Sequence, residues 1–187
     1  MEPREIEAIE YRAEAVLAGV PDWLWDGERL PVPVEAIADS HFNLLVREVA
    51  DMTAAPGCPP LEEGQTLSGL LLGSEIWINA EEARLWPGRR RFTISHELGH
   101  YVLQRRGQQS LFCRRGSVAE AGGEAERPPL PPSEEEANAF AAALLIPARL
   151  LRRHYEELGP RRDRFERLCE LFGASQTAMS RRLHQVI

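Results

Sequence analysis

With 187 residues, 43% of them hydrophobic, the chain carries enough apolar material for one core, and its length predicts a single domain over residues 1–187. A net charge of −7 argues against broad, non-specific nucleic-acid binding, because a phosphate-binding surface needs a basic balance. Cys58, Cys113 and Cys169 are odd in number and form no CxxC pair, which argues against a disulfide framework or a cysteine zinc cluster and fits a reducing, cytoplasmic setting.

The charged N-terminus has no long apolar stretch of the signal-peptide kind, and no run of about 18 apolar residues follows, so no membrane association is expected. Ile6, Ile9, Ala13, Val16 and Leu17 recur at helical spacing until Gly19, predicting an amphipathic packing helix within an N-terminal segment, 1–29. In "LPVPVEAIAD" prolines set a turn that leads into a short helix near residues 34 to 39, and the apolar and β-branched residues from Phe42 to about Val49 predict a strand. "LSGLLLGSEIWIN" has two apolar runs about Gly73-Ser74, the pattern of a hairpin. A small antiparallel sheet followed by helices is an α+β arrangement.

The next segment, "RRRFTISHELGHYVLQRR", predicts a long helix. From Gly107 to Pro132 the composition turns to Gly, Ser, Glu, Arg and Pro, predicting a flexible loop over 107–132. Ser133 is then expected to cap a helix over "EEEANAFAAALLI", closed by Pro147. A C-terminal helical subregion, 149–187, follows, with helices near 160 to 172 and 175 to 185 parted at Gly173.

The chemistry is concentrated in "HELGH". Residues four apart share a helix face, so His96 and His100 can turn two imidazoles to one point, where zinc at about 2.0–2.1 Å would satisfy both. Glu97 stands beside them and can take a proton from a water that the metal has acidified. Gly99 costs about 1 kcal/mol in a helix interior relative to alanine, which suggests close approach of another backbone or a ligand.

Two histidines leave a zinc site short of protein ligands. The "SEEEANAF" helix is the best source of a third, because an inward Glu134 would bring the small residues Ala137 and Ala141, with Asn138, onto the same face. Asn138 could then orient His96 or His100. Glu135 and Glu136 would form a solvated first turn. His41, His154 and His184 are further candidates without helical pairing, and His154 with Tyr155 could supply an oxyanion donor.

Together these stretches resemble the ImmA/IrrE-type metallopeptidases, small cytoplasmic zincins. The resemblance runs through "LPVPVEAIAD", "LSGLLLGSEIWIN", "RRRFTISHELGHYVL", "EEEANAFAAALLIP" and "FGASQTAMSRRL", in that order. It implies a zincin-like fold with zinc held by His96, His100 and Glu134, Glu97 as general base, and a helix-turn-helix transcriptional repressor as the protein that is cut. The chain departs from the family pattern at Gln104, where a histidine often stands, and in the length of segment 107–132.

A competing expectation is a DNA-binding or protein-binding regulator with a structural or weakly active metal site. "FERLCELFGASQTAMSRRL" has a helix-turn-helix-like pattern, with Ser175 as N-cap and Arg181 and Arg182 available for phosphates. From Arg149 onward nine arginines face five acidic residues. Two short helices are also an ordinary packing unit, so direct nucleic-acid binding is not the favoured outcome.

Overall fold

A computed structural model describes residues 1–58, 60–61, 65–103, 112–117 and 131–187, with Gln65 and residues 112–117 described as backbone. Helix α1, Pro3–Gly19, opens with a reciprocal cap in which the Glu2 amide donates to Glu5 at 2.7 Å. Its predicted stripe buries Ile9, Ala13 and Leu17. The short helix after the proline turn is α2, Val34–Ala36, which widens into a π-helical turn, Ile37–His41.

Strand β1, Leu45–Val49, begins three residues later than expected from Phe42, because Phe42 closes the π-helical turn and Asn43 takes a left-handed conformation, φ 55°. Strands β2, Gln65–Leu72, and β3, Glu75–Asn79, form the expected antiparallel hairpin, with Gly73 at φ +59° in the turn.

The sheet is mixed rather than antiparallel throughout, because β1 pairs with β3 in parallel. The reason is where the connection runs. Leu45 enters beside the hairpin turn, its amide donating to the Ser74 carbonyl at 2.9 Å, and Val49 leaves beside Asn79 at the other end. The chain can start β2 from that same end, so β1 opposes β2 and runs with β3. Met52 and Ala55 on the connection close a small second core with Leu67 and Leu70.

Asn79 ends β3 and caps α3, Ala80–Leu85, accepting from the Glu82 amide at 3.0 Å. The long helix follows as α4, Pro87–Leu103. Strand β4, Phe112–Ser117, pairs with β2 and gives the sheet order β1-β3-β2-β4. This corrects the expectation of an uninterrupted loop over 107–132. Backbone pairing along β2, which composition does not report, holds these six residues; the rest of that segment lies outside the described residues apart from Pro131 and Pro132.

Helix α5, Pro132–Leu145, starts before Ser133, which is not its cap. Pro131 occupies that position and Pro132 the first helical one, where a fixed φ and a missing amide cost nothing. Pro147 separates α5 from α6, Ala148–Leu158. Helices α7, Arg164–Phe172, and α8, Gln176–Val186, meet at Gly173, φ +57°, and Ser175 caps α8 as expected, accepting from the Ala178 amide at 3.2 Å. One core cluster gathers residues from Ile9 in α1 to Met179 in α8. Each fully buried Leu, Ile or Phe in it contributes about 1.5–3 kcal/mol.

Candidate metal centre

α4 lies between the sheet and α5, which explains why the polar residues of its central turns, Thr93 to His100, are shielded from solvent. His96 and Glu97 are 0% exposed and His100 2%. The two rings stand nearly perpendicular, with centroids 4.6 Å apart and Nε2 atoms separated by 3.0 Å.

α5 completes the group from its first turn. Glu134 Oε2 is 3.2 Å from His96 Nε2, and Oε1 is 3.2 Å from His100 Nε2. The approach depends on small residues. A Cβ on Gly99 would lie 3.2 Å from both Cα and O of Ala137 and 3.1 Å from Phe140 Cδ1, so glycine in α4 and alanine in α5 set the helix separation. Ala137 and Ala141 are fully buried in this contact face.

Asn138, one turn beyond Glu134, places Oδ1 3.1 Å from His96 Nδ1. The amide oxygen only accepts, so Nδ1 carries the hydrogen and the Nε2 lone pair faces Glu134 and His100. Burial tends to raise the Glu134 carboxyl, but positive charge at the point it shares with His100 and His96, here protons on the two rings, outweighs this and holds it down to about 2. The group is therefore anionic at neutral pH.

These residues fit a divalent cation. A tetrahedral ion with bonds of about 2.0–2.1 Å separates its donors by about 3.3–3.4 Å, close to the 3.0–3.2 Å found here. Among the described residues His96, His100 and Glu134 are the group of three whose donor atoms can meet at one ion. The remaining histidines are engaged elsewhere. His41 packs edge-on against Phe42, His154 Nδ1 is 2.9 Å from Glu157, and His184 Nδ1 is 2.8 Å from the Ser180 carbonyl. Tyr155 accepts a hydrogen bond from Arg164 at 2.7 Å, and His154 lies outside the group of three. Glu135 lies 3.7 Å from the N-terminal amine at the rim.

The family model described as the IrrE N-terminal-like domain, Peptidase M78, matches residues 70–184, more than half of the chain. The chain belongs to the Peptidase M78 family. The M78 match begins within β2 and contains α4, α5 and the C-terminal helices, so the His-His-Glu group lies inside it. A comparison with curated proteins gave no match. Membership in M78 implies peptidase activity, and the mixed α and β architecture suits such a domain. Among the described residues no helix is long and apolar enough to cross a membrane.

The helix-turn-helix-like pair of this M78 domain does not offer both expected arginines. Arg182 is buried, paired with Glu10 of α1 through both terminal nitrogens, Nη1 to Oε2 at 2.7 Å, and its Nε donates to the Ile146 carbonyl at 2.9 Å. It fastens α8 to α1 and the end of α5. Arg181 remains exposed. The expectation that Arg182 is available for phosphates is therefore corrected. It failed because the partner, Glu10, lies 172 residues away in sequence.

Proposed function

We propose that the chain is a zinc-dependent endopeptidase in which His96, His100 and Glu134 hold the metal and Glu97 is the general base. The observation that carries this is the meeting of three donors from two helices at 3.0–3.2 Å, with the Glu97 carboxylate rooted one residue from His96. Zinc bound there supplies Lewis-acid polarisation of the scissile carbonyl and lowers the pKa of water toward neutrality.

The chain's own residues do the rest. Asn138 keeps the His96 hydrogen on Nδ1, so that Nε2 remains a donor to the metal. Glu97 takes the proton of the attacking water and hands it to the departing amine nitrogen. The substrate is a protein that enters in extended form, and the partner proposed is a cytoplasmic helix-turn-helix transcriptional repressor, in line with the family resemblance of the motifs.

Metal content by elemental analysis and cleavage of a candidate repressor test the proposal together. About one zinc per chain is expected in the unaltered protein and markedly less in Glu134→Ala. Glu97→Gln should keep the metal and lose cleavage by about 10²–10⁴-fold. Undiminished zinc in Glu134→Ala would move the third ligand elsewhere, and cleavage surviving in Glu97→Gln would remove the general base.

A further inference from the structure

Strand β2 breaks its alternation beside α4. Along β4, Leu67 pairs with Arg115 and Gly69 with Arg114, so Ser68 is an extra residue in β2, a bulge. Burial records the consequence. Leu67 and Leu70, three apart, share the small core with Met52 and Ala55, while Leu71 joins the main core with Ile76 and Ile78. In a regular strand, residues three apart point to opposite faces. Ser68 and Gly69 are thereby both turned toward α4. Ser68 Oγ accepts from Arg89 Nη2 at 3.4 Å, and Gly69 lies beneath Thr93 and Glu97.

A Cβ on Gly69 would stand 2.4 Å from Thr93 Cγ2 and 2.9 Å from Glu97 Oε1. The two clashes differ in kind. Thr93 is buried and stiff at χ1, so the first opposes packing. Oε1 is the tip of a rotatable chain, so the second is relieved when the carboxylate moves.

We propose that Gly69, turned toward α4 by the Ser68 bulge, is a positioning residue whose missing side chain lets the Glu97 carboxylate rest against β2 beside the metal group. This rests on the general-base role given to Glu97 above. A side chain at position 69 pushes the carboxylate out of line, and a displacement of about 1 Å costs about 10²-fold in rate. A glycine inside an apolar strand, as in "LSGLLL", is the sequence signal of such a close approach.

The test is titration of cobalt(II)-loaded protein with acetohydroxamate at fixed pH, followed by visible absorption. A hydroxamate chelates the metal through two oxygens and gives its hydroxyl proton to a neighbouring carboxylate, so its affinity reports where that carboxylate stands without any substrate. Thr93→Ser removes Cγ2 and with it the packing clash, so Gly69→Ala/Thr93→Ser is compared with Thr93→Ser alone, with Glu97→Gln as reference. Equal cobalt uptake is expected in all of them. Hydroxamate affinity should fall about tenfold or more in the double variant and in Glu97→Gln, the loss of one charge-assisted hydrogen bond.

Equal affinity in the double variant and Thr93→Ser, with Glu97→Gln weakened, would overturn the positioning role. So would failure of the double variant alone to take up cobalt, which would make Gly69 a packing residue of the site. Undiminished affinity in Glu97→Gln, or no cobalt uptake by the unaltered chain, would instead overturn the underlying reading of Glu97 or of the metal.

Discussion

Two buried polar clusters, one between α4 and α5 and one where α8 meets α1, differ in how their donors and acceptors are matched. At α8, a guanidinium faces a carboxylate through both terminal nitrogens and spends its Nε on the Ile146 carbonyl. Cation and anion balance within the chain. At α4 and α5, two imidazole nitrogens and a carboxylate converge, and the His96 hydrogen is already directed to Asn138 on the far side of the ring. Three metal-ligating atoms converge there with no arginine among them, a group that could hold a metal ion. Burial is thus common to both, and the kind of partner separates a clasp from a candidate binding site.

The largest expected effect tests the clasp. Arg182→Ala leaves the Glu10 carboxylate and the Ile146 carbonyl without their donor, and breaking such a pair costs about 3–5 kcal/mol, toward the lower end because Glu10 is partly exposed. Urea unfolding should show that loss. Replacing both partners by methionine should recover much of it, since a matched pair gives back little that packing does not. If Arg182→Ala were as stable as the unaltered chain and bound DNA less well at low salt, the clasp would be a phosphate contact after all.

Next in size is the other cluster's outer support. Asn138→Ala removes the acceptor that holds His96 in one tautomer, and metal affinity should fall about 10–100-fold in competition with a chromophoric chelator. An unchanged affinity would mean that packing alone orients the ring. Gly99→Ala should act through spacing. Its Cβ meets Ala137 Cα and O at 3.2 Å, so α5 must retreat, with about 1–3 kcal/mol of overpacking cost and weaker metal binding together. Loss of stability with full metal affinity would separate helix spacing from ligand geometry.

What was legible in the sequence follows the range of the interaction. Periodicity over four residues gave the shared face of His96 and His100. The spacing of Ala137, Asn138 and Ala141 from Glu134 singled out the face of α5 that lies on α4. A hairpin needs only its turn, and Gly73-Ser74 was enough. Features set by distant pairing stayed hidden. The parallel partner of β1 depends on where a connection runs, and β4 is held by backbone bonds in a segment whose composition suggests a loop. Arg182 depends on a glutamate at the other end of the chain. Gly69 stands between the two, since a glycine in an apolar strand signals a close approach, but its neighbour Glu97 comes from a different element.

The smallest effect asks whether the two clusters communicate. Ser175→Ala deletes the α8 cap, which costs about 1 kcal/mol, equivalent to about 2–4 °C in Tm for a chain of this size. The capped turn also touches the start of α4, since a Cβ on Gly88 would lie 3.2 Å from the Ser175 amide nitrogen. His96 lies two turns further along α4, and a helix held by the sheet on one side and α5 on the other transmits little of a frayed end. Differential scanning of apo and zinc-loaded protein should therefore show the same shift in both forms. A larger loss in the zinc-loaded form would mean that the α7–α8 turn sets the pitch of α4, and that the clasp and the site are one cooperative unit.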